Sequence, residues 1–353
     1  MASRLTDDEL AGLATRLRAA DPGGWRESGL RELAAGLGWE WHDTGSGPVL
    51  RTGLAAGDAR VRRVGKYEED YADGRDHVGL YVPVEVSEGG PAAKADAFRR
   101  AADVLTGLFG PSPIMGVTGF PGPFYDSPAG WGSPFRRWRG EHDSLELHAA
   151  EDGPELVLHP NDPVEFWHWR QAQGNPHELG GFFGTRRDPA NAGLGIPGMW
   201  RTDDWDVFAA SLGSMLTTLP AETRALGIDL TLGLHGRIPG TYGPGVFSIA
   251  CDGMLELAIF DEGDFALPHD RLGPLGWTSG SDVPATHDHG GDGYHSASYG
   301  PGEVPGHDLA RMLVDTARLL GIESPYGLSL FDHAQSVDGY HVDYYALTLK
   351  ENP

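Results

Sequence analysis

The sequence predicts an α+β protein of two related domains, each an antiparallel sheet packed by helices. Three observations carry that expectation. The chain has 353 residues, 40% of them hydrophobic and 22% charged, which is long enough for two cores and too apolar for global disorder. It holds 52 Gly and 26 Pro, which break it into short elements with many turns. Both halves read in one order, namely helix, strands, a long amphipathic helix and two more strands.

In the first half, Thr6-Asp7-Asp8-Glu9 caps a helix with Leu10, Leu13 and Leu17 on one face. A second helix over 29–37 runs into Leu37-Gly38-Trp39. Strand-like stretches follow at 48–52, 59–67 and 77–86. Residues 92–108 form an amphipathic helix, with Phe98, Ala101, Leu105 and Phe109 at helical period, and Gly110-Pro111 stops it. Strands at 134–149 and 154–159 flank Asp152-Gly153, a hairpin turn signal. Asn161-Asp162-Pro163 opens a helix bearing Phe166, Trp167 and Trp169. Residues 174–200 have no sustained period and read as a linker between domains at 1–173 and 201–353.

In the second half, Thr202-Asp203-Asp204 caps a helix with Trp205, Phe208, Leu212 and Leu216 on its apolar face. Residues 229–234 alternate like a strand. The runs 246–250 and 255–260 pair across Asp252-Gly253. Leu275-Gly276-Trp277 and a loop rich in Gly, Asp and His come next. An amphipathic helix spans 306–320, and strands at 327–333 and 342–349 close the chain.

Charge narrows the function. The formal charge is −24, the wrong sign for a phosphate backbone or an anionic membrane surface, and it suits a basic partner. Residues 201–353 carry 22 acidic against 7 basic side chains, a net of −15; residues 1–200 carry 29 against 20, a net of −9. The single cysteine, Cys251, excludes a disulfide framework and sits in the apolar run 246–251, as a structural thiol would. The N-terminus has no apolar signal core and no run reaches the roughly 18–20 residues of a membrane span, so the cytoplasm is the expected compartment.

The second half resembles the type III secretion chaperone-like family, the YbjN-type peptide-binding chaperones. The resemblance rests on ordered features: Leu255-Glu-Leu-Ala-Ile-Phe260, then Leu272-x-x-Leu275-Gly276-Trp277, then aromatics from Tyr294 to Tyr299. The helix Ala310-x-x-x-Val314-x-x-x-x-Arg318-x-x-Gly321 and Ser324-Pro325-x-Gly-Leu328-Ser-Leu330 complete it. In the first half, Leu37-Gly38-Trp39 precedes the strands instead of following two of them. The resemblance implies a non-enzymatic domain that binds an extended polypeptide, as a secretion-type chaperone or a toxin-neutralising immunity protein, with no cofactor. It also implies either a homodimer or a monomer whose two domains form a pseudo-dimer.

Several side chains are candidates for chemistry or binding. His287, His289 and His295, with Asp288 and Asp292, could ligate a divalent metal, although the pattern matches no metalloprotease or EF-hand motif. Their loop, 287–295, supports the alternative of a metal-dependent hydrolase or small-ligand binder. Asp261, Glu262 and Asp264 read as a solvated turn. No Gly-x-Ser-x-Gly elbow occurs, and Ser211 and Ser214 fall on a helix. Trp167, Phe182, Phe183 and Trp138 are the candidate partner-binding aromatics. The stretch Arg136-Arg137-Trp138-Arg139 reads as a solvated strand face.

Overall fold

A computed structural model describes residues 3–65, 69, 72–118, 132–162, 164–165, 179–186, 202–240, 245–260, 267–279, 294–330, 336–344, 347 and 349–351. Helix α1 (Asp7–Arg18) starts where the sequence places it. The Thr6 hydroxyl accepts the Glu9 N–H at 3.3 Å, and the Glu9 carboxylate accepts the Thr6 N–H at 2.8 Å. Helix α2 (Glu27–Leu37) and strands β1 (Glu40–Thr44), β2 (Gly47–Arg51), β3 (Ala59–Arg63) and β4 (His77–Pro83) follow. Helix α3 (Pro91–Phe109) leads to β5 (Ile114–Thr118), β6 (Ser133–Arg139), β7 (Asp143–Ala150), β8 (Gly153–Pro160) and β9 (Leu179–Arg186). The second half begins with α4 (Trp205–Leu226), then β10 (Leu230–Gly236), β11 (Gly245–Cys251) and β12 (Leu255–Ile259). After the short helix α5 (His269–Leu272) come β13 (Thr278–Ser279), β14 (Tyr294–His295) and α6 (Gly306–Leu319). The chain continues through β15 (Leu328–Leu330), β16 (Ser336–Val337), β17 (Tyr340–Asp343) and β18 (Lys350–Glu351).

The fold is α+β. Among the described residues, one sheet has eleven strands in the order β1-β2-β3-β4-β8-β7-β6-β5-β9-β17-β16. The other has seven, in the order β13-β14-β12-β11-β10-β15-β18. Their pairings are antiparallel apart from β15 with β18. The helices lie between the sheets: α1 and α3 pack on β7 and β8, α3 packs on α4, and α4 touches α6, β6, β11 and β12. Leu145, Leu147, Leu156 and Leu158 from one sheet share a single hydrophobic core with Leu232, Ile249 and Leu257 from the other. Across that core, Arg136 of β6 donates to the Leu226 carbonyl at the end of α4, and Arg224 grips Asp96 of α3. Among the described residues no helix is long and apolar enough to cross a membrane.

Three expectations need correction. The 174–200 stretch is not simply a linker, because β9 lies inside it and pairs with both β5 and β17. Its Gly-rich run, Gly180-Gly181-Phe182-Phe183-Gly184, hides the alternation a strand usually shows. The boundary at 201 also fails to divide the sheets. The hairpin β16–β17 turns on Asp338-Gly339, both at positive φ, and completes the first-half sheet. The predicted strand over 134–149 is two strands, broken by a turn at 140–142.

The two Leu-Gly-Trp triplets are the same helix terminator. Gly38 and Gly276 take left-handed φ values of 77° and 111°, which a side chain would strain. The Trp39 N–H then reaches the Ala34 carbonyl at 2.8 Å, and the Trp277 N–H reaches Leu272 at 3.4 Å, each five residues back. Ile228 and Ile322 close the ends of α4 and α6 through the same bond, to Thr223 and Ala317. The shared signature is therefore Leu-Gly-apolar, a Schellman ending, and both tryptophans are buried.

Candidate functional site

The first sheet places alternate residues of β6, β7 and β8 on opposite faces. One face is the leucine face of the core. The other is buried too, but charged. Arg137, opposite Glu146 in register, donates Nε–H to its carboxylate at 2.8 Å. His148 and His159 approach the same carboxylate, each at 3.5 Å. Burial pushes the Glu146 carboxyl up, but Arg137 and the two histidines outweigh it and hold it well below the usual range. One strand over, Arg60 clasps both oxygens of Glu155 at 2.9 and 2.7 Å, yet burial leaves the Glu155 carboxyl raised.

Ser144, Glu146 and His159 have the composition of a catalytic triad without its geometry. The Ser144 hydroxyl donates to Asn161 Oδ1 at 2.6 Å. His159 directs Nε2 toward Glu146 at 3.5 Å and holds Nδ1 3.0 Å from the Pro160 carbonyl, and neither ring nitrogen bonds the serine, whose proton goes to Asn161. Cys251 offers no nucleophile either, since burial pushes its thiol up to about 12.

At the end of β6, β7 and β8, beside the turn at 140–142, lies a cleft of about 510 Å³. One wall is the turn at 21–26, where Gly23, Gly24 and Trp25 all have positive φ. Trp25 is buried, and its indole N–H donates to Asp143 Oδ1 at 2.6 Å. Asn161 shapes the facing hairpin by donating to the carbonyls of Gly140 and Glu141. Burial raises the Asp143 carboxyl despite the indole bond.

The sheet edges differ in length. Among the described residues β16, β13 and β18 are edge strands of two residues each, whereas β1 has five. Thr44 pairs with Gly47 across a two-residue turn, so Glu40, His42 and Thr44 occupy the hydrogen-bonded positions facing β2. The N–H and C=O groups of Trp41 and Asp43 therefore point to the open edge. Their side chains are tied by Arg31, which stacks on the Trp41 ring at 4.6 Å and bonds Asp43 at 2.8 Å.

The sequence-predicted binding residues fall elsewhere. Trp138 is 2% exposed and donates its indole N–H to the Gly110 carbonyl; Phe182 is 0% and Phe183 2% exposed, the latter packed on Phe135. None of these three aromatics can anchor a partner without unfolding its strand. Arg137 is likewise no part of a solvated face. Trp167, His287, His289 and the Asp261–Asp264 turn lie outside the described residues. Of His295, only its strand position is described, opposite Ala258 and Thr278. Among the described residues no group of three or more His, Cys, Asp or Glu side chains is placed to hold a metal. No protein-family model, no curated protein and no solved structure matches this chain.

Proposed function

We propose that this protein is a non-enzymatic, cytoplasmic binder of a polypeptide, a secretion-type chaperone or toxin-neutralising immunity protein, and that the partner adds as a strand to β1. The open five-residue edge of β1 is the observation that carries the reading. Short edges discourage strand addition, and three of the four described edges are short. The fourth presents free main-chain groups of the kind that give strand addition its affinity. The formal charge of −24 favours a basic partner, such as a cationic toxin or secreted effector, and speeds its encounter. The likeness of the second half to the peptide-binding chaperones points the same way.

The test is D43P beside D43N. Proline removes the outward N–H at a position that β2 does not use, whereas asparagine keeps it. Affinity capture from the native cytoplasm should enrich one partner with the parent and D43N and lose it with D43P, and hydrogen exchange at residues 40–44 should slow in the complex. Equal capture by D43P, or unchanged exchange, would overturn strand addition at β1.

A further inference from the structure

We propose that the cleft between the 21–26 turn and the β6–β7 hairpin receives a basic side chain, lysine or arginine, of the bound polypeptide. The inference rests on the polypeptide-binding reading and assigns the cleft to that same partner.

The cleft is large enough for such a side chain, at about 510 Å³. Its titratable lining is acidic in balance. Asp21, Asp73, Glu141, Asp143 and Asp162 face three guanidiniums and the His142 imidazole, and two of the three guanidiniums are engaged. Arg139 is held by Glu165 through Nε at 2.6 Å and Nη2 at 3.1 Å, and Arg75 donates to the Ala72 carbonyl at 3.0 Å. Arg26 stands on the exposed rim.

The deepest of the carboxylates is Asp143, which is half-buried. The Trp25 indole claims its Oδ1, and Oδ2 has no hydrogen-bond partner among the described residues. A partly desolvated carboxylate with one free oxygen gains most from a cation that brings its own donors. An anionic ligand would settle among five carboxylates, with Arg139 already taken by Glu165 and Arg26 out on the rim. Helix α2 connects the rim of the cleft to the proposed strand site. From Arg26 the chain enters α2, whose Glu27 and Arg31 pair with one another, and Arg31 reaches Asp43 on β1.

Calorimetric titration of the full chain with acetyl-Gly-Arg-Gly-amide tests the assignment, with the uncharged citrulline peptide as control. The arginine peptide should bind about tenfold or more tightly than the citrulline one, and D143N should lose about tenfold, the size of one charge pair at a partly exposed site. D143N keeps the acceptor for Trp25, and an unchanged unfolding midpoint would show that the fold is intact. The rim variant D162N should lose about threefold by the same charge argument. Absence of heat at millimolar peptide, equal binding of the two peptides, or tighter binding of inorganic phosphate would overturn the proposal. A partner captured equally by the parent and D143N overturns the cleft's role and leaves strand addition standing. An intact peptide titration without any D43P-sensitive partner places the failure in the polypeptide reading instead.

Discussion

Glu146 and Glu222 are both buried carboxyls, at 6% and 0% exposure, yet they lie on opposite sides of ionisation. Glu146 sits on the charged sheet face, where a guanidinium and two imidazoles hold it ionised. Glu222 sits in α4 against the start of β6, and burial pushes it up to about 8, with a single Thr218 bond opposing. Its Oε2 has no hydrogen-bond partner. Burial alone therefore does not set the charge of an interior acid. The neighbours do, and the two regions should respond to pH in opposite directions.

The largest test strips Glu146 of its main cation. R137M should cost about 3–5 kcal/mol in urea unfolding at pH 7, because it leaves a buried carboxylate undercompensated. The double variant R137M/E146L should regain most of that loss. A single-variant cost below about 1 kcal/mol would mean that the imidazoles suffice.

The second test concerns the sign of pH dependence. The folded value of Glu222, about 8, lies above its ordinary 4.5. Its contribution to stability is full below the ordinary value and is lost as pH rises through about 8. Glu146, held low, contributes in the other direction, and its share is lost on acidification. E222Q should therefore flatten the decline between pH 5 and 8 and exceed the parent at pH 8 by about 2–4 kcal/mol. If denaturation midpoints of E222Q and the parent stay parallel across that range, Glu222 carries no penalty.

The smallest test sharpens the same contrast. The Thr218 hydroxyl lies 2.5 Å from Glu222 Oε1 and favours the ionised form. T218V should cost about 0.5–1.5 kcal/mol at pH 6 and move the alkaline decline to higher pH. A decline moved to lower pH would reverse the role given to that bond.

Much of the fold is legible in the sequence. The cap at Thr6, the long helix ending at Gly110 and the turns at Asp152-Gly153 and Asp252-Gly253 are local signals, and the structure keeps them. The unread parts depend on distant partners. β9 shows no alternation, and its place is fixed by β5 and β17. The basic stretch at 136–139 reads as solvated because nothing local reveals that Arg137 meets Glu146. The cleft is less legible still, since it joins residues 21–26, 73–75, 139–143 and 161–162. One signal was available: Gly23-Gly24 beside a tryptophan marks an unusual turn, though not what it faces.

The crossing of β16–β17 into the first-half sheet bears on how the molecule is made. Synthesis runs from the N-terminus, and domains generally fold as they emerge. Here β9 acquires its outer neighbour only after residue 343 has left the ribosome, more than 150 positions later. Until then its main-chain groups on that side stay open, in a nascent chain whose eight earlier strands, β1 to β8, can already pair. The ribosome thus releases a sheet with a temporary vacancy, and the time taken to translate the second half sets how long that vacancy lasts.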